Sequence, residues 1–256
     1  MPCMSFCRFF PLALCAILLC SPVGARTFSV CIPSNPFPPL TFPDHEGQGQ
    51  WLLRTALERQ GHTVQFEAVP WPRCTRGVLQ GSYDAAIPVA STRVGSMAFP
   101  LDGHDVDANK ALGNTVMVVV RRVDSRAGWD GKNFTNLSTP VMFNRGIVTV
   151  RDKLTKLGVP GDEGAQANKA LLKKLLQKRN ELLIMNAQAV AAELESEEYA
   201  GKLEILKQPF LTMSLHVAFN LDYYENNRAL VDAIWTRIAE LRTTPEWAKL
   251  APILGK

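Results

Sequence analysis

Three consecutive residues, Ser91, Thr92 and Arg93, carry the clearest chemistry in the chain. Two hydroxyls beside a guanidinium can capture a carboxylate, and arginine's planar fork suits that task better than lysine's point charge. They follow a short apolar run, Tyr83 to Val89, of the kind a buried strand requires. The competing reading of Arg93 is a solvated loop residue. Two aromatic residues stand in similar places. Phe37 sits in the proline-rich loop Pro33 to Pro43, as a wall for a ligand or as a plug over the core. Trp71 precedes Pro72, which disfavours the α region at Trp71, while Pro72 suits the first turn of a helix and Gly81 its end. Further on, Asn144-Arg145-Gly146 leads into a helix running to Leu157. Amides at a helix start attract anions, so Gly146 is a second candidate contact. Asn186 closes the strand Glu181 to Met185 and opens the helix Ala187 to Glu195. It serves either as an N-cap or as a residue facing a cleft.

Other chemistry finds little support. No Ser-His-Asp order and no histidine-rich metal spacing stands out. Glu67, Asp84 and Glu181 fall within strands or at a strand start rather than on strand-end loops, where a catalytic carboxylate would meet substrate. We therefore assign no catalytic residue, no metal and no cofactor. The acidic loop Asp102 to Asp107, with His104, matches no ligand spacing and reads as solvated; His216, inside an apolar run, reads as a satisfied, partly buried histidine. Lysine and arginine number 28 against 24 aspartate and glutamate, a net +4 that falls to +3 once Arg8 leaves with a leader. That mild excess contains no basic run of the kind nucleic acid requires.

The elements that must position these residues alternate. Thr27 to Ile32 and Val64 to Ala68 have strand periodicity, Trp51 to Gln60 a helical one, and with the helix after Trp71 and the strand to Val89 they make a β-α-β-α-β unit. Such alternation implies a mostly parallel sheet flanked by helices, with ligands collecting at the carboxyl ends of its strands. Phe37, Trp71 and Ser91 to Arg93 all follow strand ends. Two long apolar strands, Thr115 to Val120 and Met213 to Phe219, bracket a second β/α block. They divide the chain into one lobe of residues 26–118 with 214–256 and another of 119–213, each expected to have its own sheet.

Residues 1–25 stand apart. Arg8, the apolar stretch Phe9 to Cys20 and the small residues Val23-Gly24-Ala25 form a secretory signal, with cleavage expected after Ala25 and delivery to the periplasm. Four of the six cysteines leave with it. Cys31 and Cys74 remain, and two cysteines in an oxidising compartment predict one disulfide, against the alternative of two buried thiols.

Several of these segments together resemble the bacterial extracellular solute-binding proteins of family 3, the polar amino-acid type of ABC transporters. The resemblance rests on Asn35-Pro36-Phe37-Pro38-Pro39-Leu40-Thr41-Phe42, Val69-Pro70-Trp71, Gly81-Ser82-Tyr83-Asp84-Ala85-Ala86, Thr92-Arg93 and Phe99-Pro100. It implies two α/β lobes joined by two crossing strands, a ligand cleft between them, and hinge closure. It implies that Arg93 takes an α-carboxylate, helped by the Gly146 helix start. It also marks departures: Ile147 stands where the family has a hydroxyl residue, and Asn186 where it has an aspartate for the α-amino group. The expected function is a monomeric periplasmic receptor that delivers a small carboxylate-bearing solute, an amino acid or a relative, to an inner-membrane ABC permease. An enzyme on the same scaffold, of dehydratase or lytic glycosidase type, is the alternative.

Overall fold

The computed structural model describes residues 24–91 and 95–254. Residues 1–23, most of the expected leader, and the pair Thr92 and Arg93 lie outside these residues. The chain begins with β1 (Thr27–Pro33), α1 (Gln48–Glu58), β2 (Thr63–Val69), α2 (Trp71–Leu79) and β3 (Ala85–Ala90). Then come a small hairpin, β4 (Leu101–Asp102) with β5 (Asp105–Val106), and the long β6 (Gly113–Arg122). A second hairpin, β7 (Gly128–Trp129) with β8 (Phe134–Thr135), leads into the second block. That block holds β9 (Val141–Asn144), α3 (Val148–Lys156), β10 (Gly161–Ala165), α4 (Asn168–Leu176), β11 (Leu182–Asn186), α5 (Ala187–Leu194) and β12 (Leu203–Ile205). The chain returns through β13 (Leu211–Phe219) to α6 (Leu221–Asn226), α7 (Arg228–Leu241) and α8 (Pro245–Leu250).

β1 explains how the first block is layered. It pairs in parallel with β2 along one edge and with β3 along the other, and helices cover both of its faces. Phe28, Val30 and Ile32 point to one face, where Leu52, Leu53, Ala56 and Leu57 of α1 meet Val231, Ile234, Trp235 and Ile238 of α7. Cys31 points to the other, against Cys74 and Val78 of α2 and Ala86 and Val89 of β3. The period-2 alternation of a strand thus sends one set of side chains to each helical layer. Trp235, fully buried, is satisfied by donating its indole N–H to the Val217 carbonyl at 2.9 Å.

The Cys31–Cys74 disulfide is formed, with the Cα atoms 5.5 Å apart. It pins α2 to the sheet close to the carboxyl end of β1. The helix begins at Trp71 itself, one residue earlier than the following proline predicts: Pro70 caps it, and its carbonyl accepts from the N–H groups of Arg73 and Cys74. Gly81 adopts φ +74° just past the helix, the conformation that ends a helix most cheaply in glycine. Asp84, in front of β3, accepts from the Ser29 N–H at 2.9 Å and pairs with Arg26, which ties the sheet together rather than serving chemistry.

The second block repeats the arrangement with parallel β9, β10 and β11. β6 sends Val118 and Val120 to a cluster with α4 and α5, and Met117 and Val119 to a cluster with α3 and Phe210. The sheets are not separate, as the sequence had suggested. β6 pairs with both β11 and β13, and β13 also pairs with β3, so hydrogen bonds run unbroken from β10 to β2. The buried clusters nevertheless divide: two draw on β1 to β3 with α1, α2 and α7, and two on β6, β9 and β11 with α3, α4 and α5. Pro88 interrupts the β3–β13 ladder, since it has no N–H to give, and the register shifts opposite it between His216 and Ala218.

His216 is fully buried rather than partly so, edge-on to Phe99, with Nε2 3.1 Å from the Ser214 hydroxyl. Burial pushes its pKa from 6.5 down to about 4, against a smaller opposing pull from Asp107. The unfolded chain therefore takes up a proton below pH 6.5 that the folded chain refuses until about pH 4. Stability should fall as the pH falls through that window, by up to about 3 kcal/mol from this residue. In urea unfolding between pH 7 and 4, His216→Gln should lose that part of the acid dependence; an unchanged slope would show that another group sets it.

Candidate ligand cleft

The carboxyl ends of the parallel strands face one another across β6 and β13. There they enclose a cleft of about 960 Å³, part of it open to solvent. From the first block come the loop after β1, with Asn35 and Phe37, the start of α2 at Trp71, and Pro88 to Ala90 of β3. From the second come Asn144 to Thr149 after β9, Gln166 and Asn168 before and at the start of α4, and Asn186 with Ala189 after β11. Met117 of β6 with Met213 and Leu215 of β13 form the floor. The site is thus mostly apolar with a few polar groups, the usual make-up of a small-molecule pocket.

Each sequence candidate has a definite place. Phe37 lines the cleft and also packs against the first core cluster. A tight turn holds it there, with Phe37 N–H donating to the Thr41 carbonyl at 2.8 Å and the Phe37 carbonyl accepting from Leu40 at 2.9 Å. Trp71, from the same block, also lines the cleft. Ser91 does not line this cleft; it lies in an adjoining groove with Asp152, Lys153 and Lys156, and the two spaces share Thr149 and Met213. Thr92 and Arg93 lie outside the described residues.

Gly146 lines the cleft, but its N–H is committed: it donates to the Glu163 carboxylate at 3.0 Å, and Glu163 in turn takes a 2.6 Å hydrogen bond from Arg151. A carboxylate of the chain itself occupies the position assigned to a ligand's. Asn186 is an N-cap whose Oδ1 accepts from the Ala189 N–H at 2.8 Å, while its Nδ2 donates to the buried Thr115 hydroxyl at 2.8 Å. It lines the cleft with its side-chain oxygen already accepting one hydrogen bond.

The two walls touch. Asn35 Nδ2 donates to the Gln166 carbonyl at 2.6 Å. Asn144 Nδ2 donates to the same carbonyl and to Asn168 Oδ1, both at 2.9 Å. Gly146 has φ +85°, and a Cβ placed there would come within 2.9 Å of Pro72 Cγ. Gly146→Ala should therefore combine left-handed strain of about 1–2 kcal/mol with a clash that forces the walls apart. We expect roughly tenfold weaker binding by calorimetry with a solute that copurifies with the protein. Unchanged affinity would mean that this contact plays no part in closing the cleft.

Sequence reasoning passed over Arg145, the charged residue among the described lining, although it lies beside Gly146. It is exposed, and its guanidinium forms no ion pair among the described residues. Met117 and Met213 were hidden inside the crossing strands, where their side chains read as ordinary core. In the adjoining groove Lys153 is not a free cation: it donates to the Phe210 carbonyl and stands over the rings of Phe210 and Trp129 at 4.7 and 5.6 Å, and burial lowers its pKa.

No family model and no curated protein sequence matches the chain. Solved structures do. The ligand-binding core of GluR0 from Nostoc punctiforme, in complex with L-glutamate, matches with a TM-score of 0.67 and 14% identity over 89% of this chain and 98% of that one. An arginine-specific periplasmic binding protein of Salmonella typhimurium matches at 0.68 and 15%, covering 91% and 100%. An amino acid ABC transporter substrate-binding protein from Streptococcus pneumoniae, bound to L-arginine, matches at 0.67 and 16%, covering 89% and 94%. At these identities the likeness is one of architecture, and it covers about nine-tenths of the chain: this protein has the two-lobed α/β fold of the periplasmic binding proteins.

Proposed function

We propose that the chain is an exported solute-binding protein that captures a small carboxylate-bearing solute, an amino acid or a relative of one, between two lobes. The lobes are residues 26–118 with 214–256, and residues 119–213, with β6 and β13 as the crossings. The observation that carries this reading is the cleft: strand ends from both blocks converge on a partly open space with aromatic walls and direct contacts across it. Amino acids are the ligands of the structurally similar proteins. In the proposal the leader is cleaved after Ala25, the protein acts as a monomer in the periplasm, and an inner-membrane ABC permease receives the solute.

The enzyme alternative needs a carboxyl group with a raised pKa at the site. No carboxylate lines the cleft among the described residues, and Thr92-Arg93-Val94 brings none. Glu181 does not line the cleft, and its carboxyl is held below its ordinary range by the N–H and hydroxyl of Ser138. Native mass spectrometry of freshly purified protein tests the reading. We expect one small molecule per chain; a chain that never carries or takes up a solute, or that turns over prephenate-like or carbohydrate substrates, would overturn it.

A further inference from the structure

The polar groups of the cleft narrow the class of solute, given the solute-binding reading above. A buried ammonium group needs a carboxylate, or several free acceptors, because an unpaired buried charge is strongly unfavourable. This cleft supplies no carboxylate, either among its described lining residues or in the sequence of Thr92-Arg93-Val94. Several of its oxygens already accept within the protein. The Gln166 carbonyl takes N–H groups from Asn35 and Asn144, Asn168 Oδ1 takes the other Asn144 hydrogen bond, and Asn186 Oδ1 takes the Ala189 N–H. Glu163, which reaches the lining residue Gly146, is held by the Gly146 N–H and by Arg151. Charge of the other sign is available: Arg145 lines the cleft with no ion-pair partner among the described residues. The rest of the lining is suited to an apolar body, with Phe37 and Trp71 as walls and the polarisable Met117 and Met213 beneath.

We propose that the cleft takes a monocarboxylate with an apolar body and no ammonium group: an aryl- or branched-alkyl carboxylate, or the corresponding 2-oxo acid, rather than an amino acid. Calorimetry with matched pairs tests this directly. The probes are 3-phenylpropanoate against phenylalanine, 4-methyl-2-oxopentanoate against leucine, and 3-phenylpropanamide as an uncharged control. At least one carboxylate should bind ten times or more tightly than its amino-acid partner, the amide should bind at least tenfold more weakly than 3-phenylpropanoate, and Arg145→Gln should weaken the carboxylate several-fold. Equal or tighter binding of phenylalanine or leucine would overturn the absence of ammonium recognition. Equal binding of the amide, or an unaffected Arg145→Gln, would overturn the anionic part. Binding of none of the probes would also overturn this class of ligand; a different solute found with the purified protein by native mass spectrometry would then leave the solute-binding reading standing, while finding none would remove both.

Discussion

Arg93→Ala should weaken solute binding by roughly 30-fold or more. The expectation follows from the place of Arg93 in the sequence, after the buried strand β3 and beside Ser91 and Thr92, and from its match to the family's carboxylate-binding arginine. A charge-assisted, bidentate contact in a desolvated site is worth about 2–5 kcal/mol when one partner is removed. At about 1.4 kcal/mol per decade the lower end of that range gives the figure quoted. Arg93→Lys should recover only part of the loss, because lysine lacks the fork. Unfolding of the ligand-free protein should change little, whereas an arginine held in a structural salt bridge would couple to folding. Calorimetry with the copurifying solute, alongside urea unfolding, separates the two. Parent-like affinity in Arg93→Ala would remove this residue from the site.

Removal of the disulfide should give the largest change in stability. Cys31 and Cys74 are both fully buried and 43 residues apart in sequence, so the bond closes a long loop in the unfolded chain. The double substitution Cys31→Ala with Cys74→Ala should cost on the order of 2–4 kcal/mol in urea unfolding. The effect should reach the cleft, because the bond fixes α2 and α2 begins at Trp71. Unreduced, denatured protein should show no titratable thiol from this pair. Two free thiols, or a double variant as stable as the parent, would contradict the bond's role.

How much of this was open to a reader of the sequence depended on the range of the interactions. α1, β1, β3, β6 and α7 announce themselves because local periodicity follows directly from burial of one face or both. β10 was not visible: Gly161-Asp162-Glu163-Gly164-Ala165 is polar, and it lies at the end of the sheet with β9 as its single partner strand. Such an edge strand need not be apolar, so no alternation marks it. The two small hairpins went unread for a similar reason, being two-residue strands held by a single turn each.

The site shows the same limit. Phe37 and Trp71 are legible because they follow strand ends, Gly146 because it opens a helix and Asn186 because it does both, and all four line the cleft. What those groups do there was not readable. Gly146 is neutralised as an anion donor by a glutamate seventeen residues on, and Asn186 is committed through Thr115, seventy-one residues earlier in the chain. Pairings of that range depend on the register of β9 with β10 and of β6 with β11, which no local pattern specifies. The continuity of the sheet through β6 and β13 has the same origin, since each long strand is apolar whether it has one partner or two.

A crystal structure of the protein as first purified, without added ligand, tests the central claim most directly. A single small molecule should lie against Phe37 and Trp71, resting on Met117 and Met213, with its carboxylate toward an arginine and no ammonium group facing Asn186. A solute bound elsewhere on the molecule, or an amino acid whose ammonium is held in this cleft, would contradict it.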